Sequence, residues 1–261
     1  MILTINLENT VISLGCFDGE QLIFTEQTAA DRVKTGLDYM LLFRDILKLH
    51  EISPDQIEGG IISSVVPGLT DLIYEACLRL FQKKFLVVGP GIRTGLSILM
   101  DNPAQVGNDL AASAVAALEF YPAPLLIVSL GTANCFCVIN EKRQYVGAVI
   151  MPGMQVSLDA LRGHAAQLPE ISIDLPKKLI GSNTVQSMKS GILYGTASCI
   201  DGMIDRIEAE AGEALTVVMT GEHAELISQL CRRQIAVRLN LLLEGLRLIY
   251  EKNQSLRKKM K

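Results

Sequence analysis

Two short polar segments interrupt apolar stretches of the sequence and have the composition of phosphate-binding bends. The first is Asn6-Leu7-Glu8-Asn9-Thr10, and the second is Ser129-Leu130-Gly131-Thr132-Ala133-Asn134. Small polar residues in a tight bend between strands present backbone N–H groups and hydroxyls that can hydrogen-bond to phosphate oxygens. Either segment alone is equally typical of an ordinary turn. Because the two occupy equivalent places in the chain, they predict a polyphosphate site between two facing bends.

A third segment places a carboxylate beside a predicted helix. Asp109 follows Gly107 and Asn108 and directly precedes the Ala-rich run 111–118. A carboxylate at a helix N-terminus is stabilised by capping and by the helix dipole, so Asp109 has a purely structural interpretation. The same group could act as a general base that takes a hydroxyl proton during phosphoryl transfer. The composition of the segment leaves both interpretations open.

A fourth segment, Thr220-Gly221-Glu222, follows the predicted strand Thr216–Met219 and begins a predicted helix. A glycine at such a junction lets the backbone approach a nucleotide closely. A Thr-Gly pair is common in proteins, so this segment alone is weak evidence for a nucleotide site.

The cysteines and histidines do not form a metal-binding pattern. None of the six cysteines belongs to a Cys-x-x-Cys pair, and the three histidines lie far from any two neighbouring cysteines. Cys135 and Cys137 alternate within a predicted strand and therefore share one face of it. We expect reduced, mostly buried thiols and no zinc site.

The elements that position these segments occur twice along the chain. Residues 2–28 predict a strand, a polar bend, a second strand, a turn at Asp18-Gly19 and a third strand. Residues 125–153 repeat this order, with a turn at 140–143 and a third strand that ends at Pro152-Gly153. Each meander continues into helix, strand and helix. The repeat predicts two related α/β halves, 1–118 and 119–261, with mixed sheets.

Helical periodicity predicts several of the connecting elements. In the first half, helices are expected at Asp38–His50 and, after a break at Pro67-Gly68, at Leu69–Gln82. In the second half, an interrupted helix is expected over Asn183–Ala211. A long amphipathic helix over Ala236–Tyr250 is expected to close the chain, followed by a frayed basic tail.

The composition excludes several classes of protein. Hydrophobic residues make up 49% of the 261 residues, and the mean hydropathy is +0.31, which is incompatible with intrinsic disorder. A formal net charge of −4, the absence of Trp and an aromatic content of 5% argue against a nucleic-acid-binding protein. The longest apolar stretches are shorter than the roughly 20 residues that span a bilayer. Met1–Leu7 is not typical of a signal peptide. We therefore expect a cytoplasmic protein without nucleic-acid or membrane partners.

In their order along nearly the whole chain, these residues resemble the type III pantothenate kinases. The resemblance is carried by the following collinear motifs: Asn9-Thr10, Asp101-Asn102-Pro103, Val106-Gly107 with Asp109, Gly131-Thr132-Ala133, Pro152-Gly153, Gln167-Leu168-Pro169, Asn183-Thr184, Thr220-Gly221 and Leu243–Tyr250. Such collinearity is more specific than any single motif. It implies duplicated ribonuclease H-like (actin-like) α/β domains with mixed sheets and a ligand cleft between the halves.

The resemblance also implies an activity and a set of site residues. The activity is ATP-dependent phosphorylation of pantothenate to 4'-phosphopantothenate, the first step of coenzyme A biosynthesis, by a homodimer. Asp109 is implied as the general base. The implied nucleotide-binding residues are Asn6, Asn9, Thr10, Gly131, Thr132 and Gly221. The implied substrate-binding residues are Met100, Gly107, Asn108, Leu110 and, from the neighbouring subunit, Thr184. Mg²⁺ and a monovalent cation, K⁺ or NH₄⁺, are implied as cofactors, with Ser129 at the cation-associated position.

The chain departs from the family pattern at polar positions. Asn6 replaces an Asp and Glu8 a Gly of the opening motif, Leu110 replaces an Arg, Ser129 an Asp, Met100 a Tyr, and Glu222 the second Gly of Thr-Gly-Gly. Loss of the first Asp removes a charge that helps to hold Mg²⁺. Glu8 would repel phosphates unless it turns away or recruits a cation. The same alternatives apply to the carboxylate of Glu222. Because removing one charge-stabilising donor typically costs about 10²–10³ in rate, we expect reduced activity.

These departures leave two further hypotheses. The chain could be a non-catalytic paralogue that keeps the fold and the dimer and has a binding or regulatory role. Alternatively, Leu110 and Met100 make the acceptor pocket more apolar, which would favour phosphorylation of another small alcohol.

Overall fold

The computed structural model describes residues 1–165 and 167–259. The strands are β1 (Ile2–Leu7), β2 (Val11–Asp18), β3 (Gln21–Ala29), β4 (Gly59–Ser64), β5 (Leu86–Val87), β6 (Ser97–Ile98), β7 (Leu125–Leu130), β8 (Ala133–Ile139), β9 (Gln144–Pro152), β10 (Thr216–Gly221) and β11 (Ala236–Val237). The helices are α1 (Gly36–Leu49), α2 (Pro67–Phe81), α3 (Asn108–Phe120), α4 (Met154–His164), α5 (Thr184–Ala211), α6 (Ala224–Ser228) and α7 (Leu241–Lys259). None of the helices in the described part of the chain is long and apolar enough to cross a membrane.

The chain divides into two compact units. The first unit contains Met1–Leu96, Asn102–Ala116 and the segment that begins at Leu241, and the second contains Ser97–Asp101 and Ala117–Asn240. The closing helix α7 thus belongs to the first unit, whereas the division expected from the sequence assigned it to the second half. The physical reason is that the apolar face of α7 packs on β1 and β4. A boundary between repeated halves after residue 118 stays a prediction.

The first unit has a five-stranded mixed sheet with helices on both faces. The strand order is β3-β2-β1-β4-β5, with β1 antiparallel to β2 and parallel to β4. On one face, Leu3 and Ile5 of β1 pack with Phe43 of α1 and Ile73 of α2. On the other face, Ile61 of β4 packs with residues of α3 and α7. Successive strand residues alternate between these two apolar layers, as the pleat of a strand requires.

The second unit has a six-stranded sheet in the order β11-β10-β7-β8-β9-β6. β7 is antiparallel to β8 and parallel to β10, and β10 is parallel to β11. Leu126 and Val128 of β7 face Leu193 and Ile200 of α5 in a buried cluster. Leaving β6 aside, this order matches that of the first unit strand for strand. The structure therefore contains the repeated meander-and-crossover arrangement that the sequence predicts.

Two helix N-termini follow directly from the sequence. Thr35 caps α1, since its hydroxyl accepts a hydrogen bond from the Asp38 backbone N–H, and the Asp38 carboxylate accepts one from the Thr35 backbone. Pro67 occupies the first turn of α2, where its missing N–H costs nothing. The Pro67-Gly68 pair therefore begins the helix, so the break expected from the sequence lies just before it.

Two expectations about helices are wrong in detail. The helix α5 runs over 28 residues without the interruption expected within Asn183–Ala211. Its apolar residues pack along the sheet, and that packing outweighs the poor helix propensity of its glycines, about 1 kcal/mol each. The helix α7 begins at Leu241 because Ala236 and Val237 pair with β10 as a short parallel strand instead.

One glycine allows α7 to approach α3 closely. A Cβ on Gly245 would collide with the backbone carbonyl of Ala112, a fully buried residue of α3. Leu246 and Ile249 of α7 are fully buried in the layer beside this contact. The absence of a side chain at Gly245 therefore sets how closely the two helices pack in the first unit.

We expect Gly245→Ala to lower the free energy of unfolding by about 1–3 kcal/mol, because the added methyl group forces the two helix backbones apart. Chemical denaturation measures the change. The control is Gly195→Ala in α5, where a Cβ has open space. Replacing Gly195 should leave the free energy of unfolding unchanged or raise it by up to about 1 kcal/mol. Equal stability of the Gly245→Ala variant and the parent chain would contradict the close approach.

Candidate active site

The first polar bend is a tight turn that joins β1 to β2. The Glu8 backbone N–H donates to the Val11 carbonyl at 2.9 Å, and the exposed residues Asn9 and Thr10 form the tip. The Ala30 N–H donates to the Thr10 carbonyl at 2.9 Å, which ties the tip to the end of β3. The backbone of the bend is thus fixed, while the side chains of Asn9 and Thr10 reach solvent and are accessible to a ligand.

Asn6 and Glu8, which the sequence analysis expects to depart from the family pattern, contact each other. The Asn6 side chain is 2% exposed, and its amide Nδ2 donates to Glu8 Oε1 at 3.0 Å. An amide beside a carboxylate forms a hydrogen bond, whereas the Asp of the family pattern at position 6 would place two negative charges together. Asn6 therefore holds the Glu8 carboxylate at the end of β1, next to the bend.

Asn6 also belongs to a row of polar side chains that crosses the sheet. In the strand register it lies between Ser13 of β2 and Ser63 of β4. Ser63 is fully buried, and among the described residues its hydroxyl has no hydrogen-bond partner. A buried hydroxyl without a partner costs about 1–3 kcal/mol and is rare in native proteins, where it often marks a functional position. Sequence analysis missed Ser63, although Ser63-Ser64 at the end of an apolar strand was a usable signal.

Asp109 lies in the first turn of α3, one residue after the first helical residue, Asn108. Within the described residues its carboxylate has no hydrogen bond or ion pair, so it does not cap the helix. A Cβ on Gly107 would collide with Asp109 Oδ1, which shows that the carboxylate folds back over the preceding glycine. Asn108 Nδ2 donates to the Val88 carbonyl at 3.4 Å and ties the start of the helix to the chain after β5. Asp109 is therefore a half-buried carboxylate able to accept a proton.

The second polar bend joins β7 to β8 in the second unit. The Gly153 N–H donates to the Thr132 carbonyl at 2.9 Å, so the start of α4 packs against this bend. A Cβ on Gly153 would collide with the carbonyl of Gly131, whereas one on Gly131 would make only an ordinary contact with the Ala133 carbonyl at 3.9 Å. The helix α4 begins here without a side-chain cap. Gly131 and Thr132 thus lie beside uncapped N–H groups, an arrangement that suits an anion.

The segment Thr220-Gly221-Glu222 lies at the same edge of the second sheet as this bend. Gly221 pairs in register with Leu130, and the Glu222 N–H donates to the Leu130 carbonyl at 3.0 Å. Gly221 has φ +94°, and a Cβ there would collide with the Leu130 backbone, so only glycine fits. The structure therefore brings Gly221 and Glu222 next to Gly131, as the two sequence signals suggested separately.

Ser129 sits between two neutral neighbours. Its register partners are Cys135 of β8 and Thr220 of β10, and the Thr220 hydroxyl donates to the Leu239 carbonyl at 3.2 Å. Glu222 directly follows β10, and its Oε1 lies 3.6 Å from Nε2 of His223. Across the described residues, no cluster of three or more His, Cys, Asp or Glu side chains could hold a metal ion.

The remaining expected substrate residues lie in three places. Thr184 is the first residue of α5 and lines a cavity of about 680 Å³ between α4 and α5. Asn183 caps that helix by accepting the Gln186 N–H at 2.9 Å. Met100 follows β6 in the second unit, whereas Leu110 lies in α3 beside Asp109. Within the first unit, Gly107, Asn108 and Leu110 are thus together with Asp109, and Thr184 and Met100 belong to other elements.

A protein-family model described as type III pantothenate kinase matches residues 2–206. The chain belongs to the type III pantothenate kinase family. A protein of that name from Exiguobacterium sp. AT1b is 44% identical over 254 residues, which cover 97% of this chain and all of the relative. Another from Brevibacillus brevis is 42% identical over 255 residues, which cover 98% of this chain and all of the relative.

Solved structures show the same fold at low sequence identity. A conserved Baf family transcriptional activator from Campylobacter jejuni aligns with a TM-score of 0.60 and 16% identity, over 97% of this chain and 99% of that chain. The activator of 2-hydroxyisocaproyl-CoA dehydratase from Clostridium difficile, solved with bound ADPNP, aligns with a TM-score of 0.56 and 13% identity. The alignment covers 98% of this chain and 97% of that chain. These likenesses and the two mixed sheets confirm the predicted actin-like α/β fold of this pantothenate kinase family member.

The unpartnered hydroxyl of Ser63 leads to a prediction about stability. We expect Ser63→Ala to leave the free energy of unfolding unchanged or to raise it by up to about 1 kcal/mol, because it removes a desolvated polar atom that forms no hydrogen bond to any described residue. The matched control is Thr4→Val. Thr4 lies in β1 on the same face of the sheet as Ser63, and its buried hydroxyl donates to the Gly15 carbonyl at 3.1 Å. That variant should lose about 1 kcal/mol. Denaturant titration of both variants compares them. A loss at Ser63 as large as that at Thr4 would show that its hydroxyl is bonded in solution.

Proposed function

We propose that this chain phosphorylates pantothenate at the expense of ATP, as the names of its relatives describe for those proteins. The observation that carries the proposal is full-length similarity to type III pantothenate kinases at 41–44% identity. The geometry supports it at two points. Each unit has a tight polar bend between the first two strands of its meander, and in the first unit no described residue pairs with the Asp109 carboxylate.

The two bends suit the phosphates of ATP. In the first unit, Asn9 and Thr10 are exposed on a rigid turn, and Asn6 lies buried behind it. In the second unit, Gly131 and Thr132 lie beside the uncapped start of α4. Backbone N–H groups and hydroxyls fixed before the ligand arrives stabilise the charge of a transferring phosphoryl group without reorganisation. We assign the adenosine side of the nucleotide to Gly221, which lies at the end of β10 beside the second bend.

Asp109 is the general base of the proposed reaction. Its carboxylate takes the proton from the primary hydroxyl of pantothenate as that oxygen attacks the γ-phosphorus of ATP. The bond from the γ-phosphorus to the bridging oxygen breaks, and ADP leaves. Phosphoryl transfer needs mainly positioning and charge stabilisation, so a base held by a folded helix turn serves the reaction. Gly107, Asn108 and Leu110, on the same turn as Asp109, line the pantothenate side.

The residues present fit a Mg²⁺ ion. Mg²⁺ usually keeps several waters and is held by one or two carboxylates together with substrate phosphates. Glu8 would supply one carboxylate at the first bend, where it accepts a hydrogen bond from the Asn6 amide. When bound, Mg²⁺ neutralises phosphate charge. The surroundings of Ser129 offer no register neighbour with a carboxylate, so we derive no step through K⁺ or NH₄⁺.

We further propose that the active protein is a cytoplasmic homodimer in which Thr184 reaches the pantothenate site of the neighbouring subunit. The support is the position of Thr184 on the wall of a cavity lined largely by apolar residues. Those residues are Leu158, Leu161, Leu168, Met188 and Ile192. Leu161, in α4, is 46% exposed, and Ile180, which follows α4 along the chain, is 81% exposed. An apolar cavity with an exposed apolar side chain on its wall is typical of a surface that a partner covers.

We expect Asp109→Asn to lower ATP turnover in the presence of pantothenate by about 10²–10⁴-fold, because the base is lost. Binding of ATP should change little, since the bends that hold the phosphates are intact. A coupled ADP-release assay measures turnover, and calorimetry measures binding. The matched control is Glu119→Gln at the exposed end of the same helix, which should keep the parent activity. If the parent chain turns over ATP no faster than Asp109→Asn, the proposed catalysis is wrong and the non-catalytic hypothesis is favoured.

The proposed dimer predicts complementation between two inactive variants. Asp109→Asn and Thr184→Ala should each be impaired alone, because each removes one component of every site. In a mixture refolded together, each heterodimer has one site with both components intact. Activity should therefore return to about a quarter of the parent value, since about half of randomly paired dimers are heterodimers. No gain on mixing, with mixed dimers confirmed by tagged purification, would show that Thr184 does not act across subunits.

A further inference from the structure

The buried hydroxyl of Ser63 lies under the first turn of α3, which carries the proposed general base. We propose that Ser63 is a substrate contact, whose hydroxyl bonds to a second hydroxyl of the acceptor while Asp109 takes the proton from the first. The acceptor class that fits is a diol whose two hydroxyls both reach this one helix turn. The inference rests on the proposed function, because it takes Asp109 as the base of an acceptor site. It adds what that site recognises besides the hydroxyl that is phosphorylated.

The strand register places Ser63 on the face of the sheet that α3 covers. Ser63 follows Ile61 by two residues in β4, so the two side chains share one face. Ile61 and Val88 belong to the apolar layer that also contains Ala112 of α3. The Val88 N–H donates to the Ile62 carbonyl at 2.8 Å, which places Val88 beside Ser63.

The start of α3 is fixed to this same edge of the sheet. Asn108 Nδ2 donates to the Val88 carbonyl at 3.4 Å, and Asn108 precedes Ala112 by about one helix turn. Asp109 is the next residue on that turn. Ser63, Asn108 and Asp109 therefore lie together at one end of the layer between β4 and α3, within the first unit.

The unpaired state of Ser63 is the observation that indicates a ligand. Its side chain is fully buried, and its hydroxyl has no hydrogen-bond partner among the described residues. The first turn of a helix adds backbone N–H groups that have no partner within the helix. Native proteins seldom keep a buried hydroxyl unpaired unless the position has a use. A ligand that bonds to Ser63 on binding recovers the cost of having desolvated it.

The charges around Ser63 favour a neutral ligand group. The Asp109 carboxylate on the adjoining turn repels a second anion at close range, and a helix N-terminus disfavours a cation. A hydroxyl both donates and accepts, which matches the serine hydroxyl. Pantothenate has such a group, since one carbon separates its secondary alcohol from the primary alcohol that is phosphorylated. The pair of hydroxyls can therefore contact Ser63 and Asp109 together.

Gly107 provides the room that this contact needs. Asp109 Oδ1 lies where a Cβ on Gly107 would be, so the carboxylate fills the space that the glycine leaves. Rotation of the carboxylate toward an acceptor hydroxyl empties that space. The acceptor then has a path past the first turn to the hydroxyl of Ser63.

The test removes the hydrogen bond from the protein and from the ligand in turn. Calorimetry measures how the parent chain and Ser63→Ala bind pantothenate and its analogue without the secondary hydroxyl. The parent should bind pantothenate about 10-fold more tightly than the analogue, because the analogue leaves the serine hydroxyl buried without a partner. Ser63→Ala should bind pantothenate about 10-fold less tightly than the parent, and it should not distinguish the two ligands.

Thr4→Val is the matched control for a structural role. Its hydroxyl lies on the same face of the sheet and is bonded to the Gly15 carbonyl. We expect this variant to lower the midpoint of denaturation and to keep the parent affinity for pantothenate. Ser63→Ala should show the reverse, with the midpoint kept and the affinity lost. A loss of stability at Ser63 without a loss of affinity would overturn the inference.

The outcomes separate this inference from the proposed function. Equal pantothenate affinity of Ser63→Ala and the parent would overturn the inference even with turnover intact, and would leave the hydroxyl to a buried water. Ser63→Ala that still distinguishes the two ligands would overturn it as well. Binding that depends on Ser63, without pantothenate-dependent ADP release, would support the inference and count against the kinase activity. A parent chain that does not bind pantothenate would contradict both.

Discussion

In each unit, two parallel strands end side by side, and the position of every candidate ligand-binding group depends on that pairing. In the first unit, β1 and β4 end together, so Asn6 lies beside Ser63 and the bend at Glu8 begins at the same edge. In the second unit, β7 and β10 end together, so Gly221 lies beside Leu130 and the bend at Gly131. Ligands of α/β sheets bind outside such carboxyl ends, where backbone groups are left without strand partners.

The fold was largely predictable because it rests on local patterns that occur twice. Apolar strands separated by polar bends predict the meanders, and they pair in the structure as expected. The parts of the fold that could not be predicted depend on contacts between residues that are distant in sequence. Ala236 and Val237 have a helical pattern, but a neighbouring strand with free backbone groups was available to them. The packing of α7 on β1 likewise depends on residues more than two hundred positions apart, which no periodicity reveals.

The segments that form the candidate site could be predicted from the sequence, but most contacts between their residues could not. Asp109 was open to two interpretations because its residue type suits both, and only the absence of a bond to the helix backbone separates them. Asn6 and Glu8 were identified one at a time as departures from a family pattern. Their hydrogen bond could not be deduced, because it depends on the side-chain direction at a strand end. Ser63 drew no attention because serine is common and its burial is a property of the folded sheet.

The position of α7 has a consequence for the order in which the chain can fold during synthesis. The first unit is composed of segments from both ends of the polypeptide, and its second apolar layer needs Leu246 and Ile249 before it is closed. The second unit is contained within residues 97–240, so all of its strands leave the ribosome earlier. The sheet of the first unit is made first, yet one of its faces stays incomplete until α7 has been made. Since α3 is made before α7 and covers part of the layer around Ile61 and Leu86, the part that α7 covers is what stays open to chaperones and to other nascent chains.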